Sequence, residues 1–197
     1  LLHTDKFLTD QGSQLYVGHI IDGGEHMLEL IDQLLDSTQL EAGQMKLTME
    51  ASSVADALVG ALLVVEDMAA TKQISIQSVG ADNLMVVVDT QRFRHVLEKL
   101  LNNAIKYSNP GGHIKISVST NSQNRVRIEI SDTGVGIEEE YLGRVFEEFY
   151  RREKRHDGAG LGLYITGKLV ELMRGEIGVE RIFGGGSNFW VEFPRGE

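Results

Sequence analysis

Asp132, Gly134 and Gly136 follow directly on an alternating stretch, Val126-Arg127-Ile128-Glu129-Ile130. That period of two predicts a strand with one buried face. A carboxylate carried into the buried end of a strand is costly unless hydrogen-bond donors meet it. The exocyclic amino group of an adenine is one such donor, whereas a guanine would present a carbonyl oxygen there and be repelled. Gly134 and Gly136 remove side chains that would hold a base away from the backbone, and Ile137 closes the segment. Taken alone, Asp-x-Gly-x-Gly is equally a plain strand-to-loop turn. Its chemistry depends on two other groups of residues.

The first group lies on a helix predicted from Thr90 to about Tyr107, capped by Asp89 and stopped by Asn109-Pro110-Gly111-Gly112. Asn103 and Lys106 are three apart and share a face, with Lys99 one turn earlier. An amide oxygen beside an ammonium suits a magnesium-bound triphosphate, because magnesium takes few oxygens from protein and the rest from phosphate and water. Leu97, Leu100, Leu101 and Ala104 form the opposite face, which packs on a sheet. An ordinary solvated polar face reads the same way in isolation.

The second group is Gly158-Ala159-Gly160-Leu161-Gly162-Leu163, immediately before a predicted helix from Leu161 to Met173. Alternating glycines leave backbone N–H groups able to turn toward an anion, and the helix N-terminus adds positive potential. No Gly-Lys-Ser/Thr follows, so this is not a P-loop. No strand precedes it directly, so it is not a dinucleotide fingerprint. Between the two groups runs Arg151-Arg152-Glu153-Lys154-Arg155-His156, a basic loop suited either to cover phosphates or simply to be solvated. Phe146, Phe149 and Tyr150 precede it at a spacing that predicts one packed helix face anchoring the loop.

The elements that must position these groups are mixed strands and helices. Strands are predicted at Met45–Met49, Ile74–Val79, Met85–Val88, Ile114–Val118 and Val126–Ile130, with a closing hairpin of Glu176–Phe183 and Ser187–Phe193. Ser52 or Ser53 caps a helix running to about Thr71, and 138–150 reads as mostly short helix. The expected fold class is α+β: a two-layer α/β sandwich with one mixed sheet of about five strands and three helices on one face. The other sheet face is expected to be more solvated. Ahead of it, Ser13 to about Ala42 reads as one long helix, with Ile20, Met27 and Leu34, then Ile21, Leu28 and Leu35, recurring seven apart. Such a seam requires a partner helix. Gly23 and Gly24 weaken it locally. At 1.5 Å per residue this arm is about 45 Å long, while Leu1–Leu8 would supply only about 12 Å of a preceding one. Most of a first hairpin arm is therefore expected outside this chain. The expected division is residues 1–46, a partial helical hairpin, and 47–197, the domain built on the sandwich.

Composition narrows the classes. The 197 residues are 42% hydrophobic with two prolines, enough to bury a core. No cysteine is present, which excludes disulfides and thiolate chemistry and fits a reducing compartment. A net charge of −10 without a basic stripe argues against a nucleic-acid surface. No apolar run approaches the length needed to span a bilayer and no signal peptide is visible, so no membrane contact and a cytoplasmic location are expected.

Together these residues resemble the catalytic and ATP-binding domain of sensor histidine kinases, in the Bergerat-type ATP-binding superfamily. Leu100–Ser108 looks like its N box, Asp132-Thr133-Gly134-Val135-Gly136 its first glycine box and Val145–Arg151 its F box. Gly158–Leu163 looks like its second glycine box, and Gly184-Gly185-Gly186-Ser187-Asn188-Phe189 its closing glycine-serine segment. Residues 13–43 resemble the second helix of the dimerisation and phosphoacceptor hairpin. The resemblance implies ATP and Mg2+ as ligands, with Asn103 holding the metal, Lys106 on phosphate and Tyr107 against the adenine. Asp132 would read the adenine amino group, with Gly134 and Gly136 making room. Gly160, Leu161, Gly162 and Leu163 would bind phosphates through N–H groups, and Arg151 or Arg152 would reach the γ-phosphate. It implies a homodimer through helix 13–43 and a response regulator receiver domain as partner.

Two departures stand out. Lys99 occupies a place where the family often has a second asparagine. The family's acceptor histidine is followed a few residues later by proline, and here the prolines are only Pro110 and Pro194. His3, His19 and His26 lack that context, so the acceptor is expected upstream of Leu1. The rival readings are a nucleotide-sensing or partner-binding module without kinase activity, which Lys99 keeps open, and an ATP hydrolase of the same superfamily. The hydrolases carry a glutamate base one turn before the asparagine, where this chain has Lys99.

Overall fold

The structure, a computed structural model, describes residues 11–81, 83–150 and 160–196. They fall in two compact units that divide between Met45 and Lys46. The first is helix α1, Gln11–Glu41, followed by Gly43 at a positive φ of 62°. Glycine adopts that conformation most readily, which makes it a natural helix stop. Ile20, Met27 and Leu34 are exposed along α1, as are Ile21, Leu28 and Leu35.

The second unit runs β1 (Glu50–Ser53), α2 (Val54–Thr71), β2 (Ser75–Val79), β3 (Met85–Val88), α3 (Thr90–Tyr107), β4 (His113–Thr120), β5 (Arg125–Asp132), α4 (Glu139–Leu142), α5 (Gly162–Leu172), β6 (Glu176–Arg181) and β7 (Ser187–Pro194). Five strands form one mixed sheet in the order β2-β4-β5-β7-β6, with β2 parallel to β4 and the other pairs antiparallel. Side-chain alternation sends Ile114, Ile116 and Val118, Val126, Ile128 and Ile130, and Phe189, Val191 and Phe193 to one buried face. Phe93, Val96, Leu97, Leu100, Leu101 and Ala104 of α3 are buried, and α3 packs against α2, α5 and β5. Phe93 meets Phe193 edge-on, with ring centroids 5.2 Å apart. Burying each such side chain contributes about 1.5–3 kcal/mol.

The opposite face is polar. Arg127 lies over the Trp190 ring at 4.1 Å and binds Glu192 at 2.9 Å, while Asn188 reaches Glu129. Both helix caps arise as expected: Ser53 Oγ accepts from the Asp56 N–H and Asp89 Oδ1 from the Arg92 N–H.

Three expectations need correction. Met45–Met49 is not a strand; the Thr48 N–H donates to Asp89 Oδ2 instead of to a ladder. The strand is Glu50–Ser53, and it pairs with Met85–Val88 in a separate two-stranded ladder outside the main sheet. Of 138–150 only Glu139–Leu142 is helical, and turns take the rest. Phe149 accordingly does not share a packed face with Phe146. It sits at φ 57° and is exposed, while Phe146 meets Phe189 edge-on.

Candidate nucleotide-binding site

Asp132 is the last residue of β5. Alternation puts it on the same face as Ile128 and Ile130, so its carboxylate faces the buried layer, 2% exposed. Oδ1 accepts from the Gly134 N–H at 2.8 Å and Oδ2 from the Ser187 hydroxyl at 2.5 Å. A carboxylate offers about four lone-pair sites, so acceptor capacity remains for a ligand donor. Sequence reasoning assigned no role to Ser187. Its partner lies 55 residues away, and only the opening of β7 beside the end of β5 brings them together.

The glycines around Asp132 are required by backbone packing. A Cβ on Gly134 would sit 2.2 Å from Tyr107 O and 2.8 Å from Asp132 Oδ1. One on Gly186, at φ +91°, would meet Asp132 O at 1.9 Å. Gly136, at φ +68°, lies against Gly186 O. The Asp132–Gly136 loop is thus wedged between the β6–β7 turn and the end of α3. The Val135 N–H donates to Tyr107 O at 3.2 Å and closes that junction. Ile137 follows, half-buried.

On α3, Lys99, Asn103 and Lys106 are half-buried and Tyr107 is exposed. The Lys106 ammonium lies 5.9 Å from the Tyr107 ring centroid. Asn102 has a buried side-chain oxygen with no hydrogen-bond partner among the described residues, a feature periodicity does not reveal.

Gly160 takes φ +76° and Leu161, buried, forms the N-cap of α5 with no side-chain cap bond. No cap side chain therefore satisfies the first-turn N–H groups of α5, the condition under which a helix N-terminus receives an anion. Gly162 and Leu163 are half-buried in that turn, and among the described residues nothing lies within 4 Å of a Cβ added to Gly162. Arg151, Arg152 and Gly158, with the rest of the basic loop, lie outside the described residues.

A mixed sheet under three helices, with a buried carboxylate at a strand end and an uncapped glycine-led helix, defines the class of ATP-binding domain built on this sandwich. Residues 88–197 match the family model described as histidine kinase-, DNA gyrase B-, and HSP90-like ATPase, and the chain belongs to that family. Within it, the chain carries the catalytic ATP-binding domain of sensor histidine kinases. It is 34% identical over 186 residues to the circadian input-output histidine kinase CikA of Synechococcus elongatus, covering 91% of this chain and 24% of that protein. It spans about a quarter of that relative's length. Full-length ShkA, solved in complex with AMPPNP, superposes with a TM-score of 0.81 at 29% identity, over 94% of this chain and 39% of that one. The histidine kinase ThkA, solved with the response regulator protein TrrA, shares the fold at a TM-score of 0.74 and 22% identity, over 99% of this chain and 55% of that one. Among the described residues no helix is long and apolar enough to cross a membrane.

Proposed function

We propose that residues 47–197 bind magnesium ATP and transfer its γ-phosphate to a protein histidine outside this sequence, as the kinase of a two-component signalling system. The observation that carries this reading is the bond from the Val135 N–H to Tyr107 O, which joins the Asp132 loop to the helix bearing Asn103 and Lys106. In this reading Asp132 accepts the adenine amino group and Tyr107 lies against the base. Lys106 meets the phosphates, with Arg151 or Arg152 reaching the γ-phosphate. The N–H groups of Gly158 and Gly160 to Leu163 cradle the chain of phosphates. Ile137 lines the base side.

The donor chemistry fits magnesium. The Asn103 amide oxygen would be one protein ligand, with phosphate and water supplying most of the rest, as this ion prefers. When bound, the ion neutralises charge on the triphosphate. The transition state of phosphoryl transfer asks the protein mainly for positioning and electrostatics. An imidazole nitrogen lone pair forms the N–P bond as the bond from γ-phosphorus to the bridging oxygen breaks, and ADP leaves with that electron pair. A neutral imidazole requires no strong base at neutral pH. Helix 13–43 is the proposed dimer contact, and a response regulator receiver domain the proposed next acceptor.

The test mixes the chain, γ-labelled ATP and magnesium with a separate helical hairpin carrying a histidine followed by proline. Acid-labile label on the hairpin is the expected result. Steady-state phosphate release with no label on the hairpin would contradict the kinase reading and favour a hydrolase.

A further inference from the structure

The last turn of α3 carries Tyr107, follows Asn103 and abuts the Asp132 loop, so its carbonyls decide how the two halves of the site meet. Carbonyls at a helix C-terminus lack intrahelical donors and carry partial negative charge. Here the Lys72 ammonium, from the C-cap of α2, donates to Lys106 O at 2.7 Å and Ile105 O at 3.0 Å, with a longer approach to Ser108 O at 3.5 Å. Tyr107 O, between them in sequence, accepts from the Val135 N–H. Four successive carbonyls, residues 105–108, are thus held from two sides: three by one half-buried cation and one by the loop that carries Asp132. Lys72 is tied in turn, because its own carbonyl accepts from the Gly111 N–H at 2.9 Å. Charge-assisted bonds of this kind are stronger than neutral ones, and a cation at a helix C-terminus is favoured by the dipole.

We infer that Lys72 is a positioning residue for nucleotide binding: it fixes the last turn of α3 so that the Asp132 loop and the Asn103–Lys106 face stay in register. Lys72 touches no part of the proposed ligand. It acts through the carbonyls of residues 105–108. The inference about affinity rests on the nucleotide reading above, while the clamp itself is a property of the unliganded chain.

The test compares wild type with Lys72→Met in two measurements. In the unliganded protein, amide exchange at Val135 is expected to accelerate in Lys72→Met, because the carbonyls on either side of its acceptor Tyr107 O are no longer held. With AMPPNP and magnesium, the variant is expected to bind about tenfold more weakly, the scale on which misplaced positioning groups act. Lys106→Ala should also cost much less in the Lys72→Met background than in wild type, a coupling that a general loss of stability does not produce. Unchanged Val135 exchange and unchanged AMPPNP affinity in a folded Lys72→Met would overturn the inference. Failure of wild type to bind AMPPNP while Val135 exchange still responds would overturn the nucleotide reading and leave the clamp standing. Should Lys72→Met not fold, Lys72→Arg keeps the charge and the donors. It is expected to bind within about threefold of wild type, on the same scale, and a folded Lys72→Arg that loses AMPPNP while Val135 exchange stays unchanged would overturn the inference.

Discussion

The Ser187 hydroxyl donates to Asp132 Oδ2, tying the first residue of β7 to the last residue of β5, with both side chains buried. Together with the Gly134 N–H it aims a carboxylate that would otherwise be an uncompensated buried charge. Ser187→Ala removes one of these donors. The expected loss is about 1–3 kcal/mol, the cost of a buried group left short of a partner, or roughly 2–12 °C in Tm for a chain of this size. Thermal unfolding with and without ATP checks it. An unchanged Tm would mean that the hydroxyl does not support the carboxylate.

Two glycines separate packing from ligand contact. Gly134→Ala would place a Cβ 2.2 Å from Tyr107 O, so the loop must move. A loss of several kcal/mol, on the order of other severe core clashes, is expected together with loss of nucleotide binding. Gly162→Ala meets nothing within 4 Å among the described residues and lies in the first turn of α5, so stability should hold or rise slightly. If the N–H groups there face phosphates, ATP affinity should nonetheless fall at unchanged Tm. Calorimetric titration and a melt on both variants make the comparison. Wild-type affinity in Gly162→Ala would argue against a phosphate cradle at α5.

How far the chain could be read from its residues depended on whether a feature is local. Alternation alone located β5 and put Asp132 on its buried face. The 3.6-residue period and the Asp89 cap located α3. The run Gly184-Gly185-Gly186 between two strand-like stretches located the β6–β7 turn. What was not legible is long-range. Gly134 is a glycine because Tyr107 O lies against it, Ser187 matters because of Asp132, and Lys72 matters because of carbonyls more than 30 residues on. Period reports which face is buried, not which partner buries it. The same gap explains β1: Met45–Met49 alternates well, yet Met85–Val88 pairs with Glu50–Ser53, which has no apolar alternation.

The open sheet face should contribute stability without touching nucleotide. Arg127 stacks on Trp190 and binds Glu192, Glu129 and Glu180. Trp190 itself lies flat against Gly178, where a Cβ would meet its ring at 2.4 Å. Arg127→Ala is expected to lower stability by about 1–2 kcal/mol, the range for a partly buried stacked ion pair. ATP affinity is expected to hold within twofold or so, because the substitution lies on the face away from Asp132. Trp190, the single tryptophan, reports unfolding by fluorescence. A large drop in ATP affinity at unchanged stability would contradict this assignment.

The exposed rows of α1 make a separate claim. Leu28→Glu places a charge in a seam proposed to pair with a second helix, and like-charged repeats across such a seam oppose association. Sedimentation equilibrium is expected to show a weaker dimer than wild type. A wild-type chain that is monomeric at all concentrations would place the dimer contact elsewhere.

The central claim is that one nucleotide spans Asp132 and Asn103. Its most direct measurement is an ATP titration of wild type, Asp132→Asn and Asn103→Ala, each with magnesium and with a chelator. Asp132→Asn is expected to bind ATP at least about tenfold more weakly with or without metal, the size of one lost charge-assisted bond. Asn103→Ala is expected to weaken binding mainly when magnesium is present. Equal affinity in all three proteins, under both conditions, would contradict the claim.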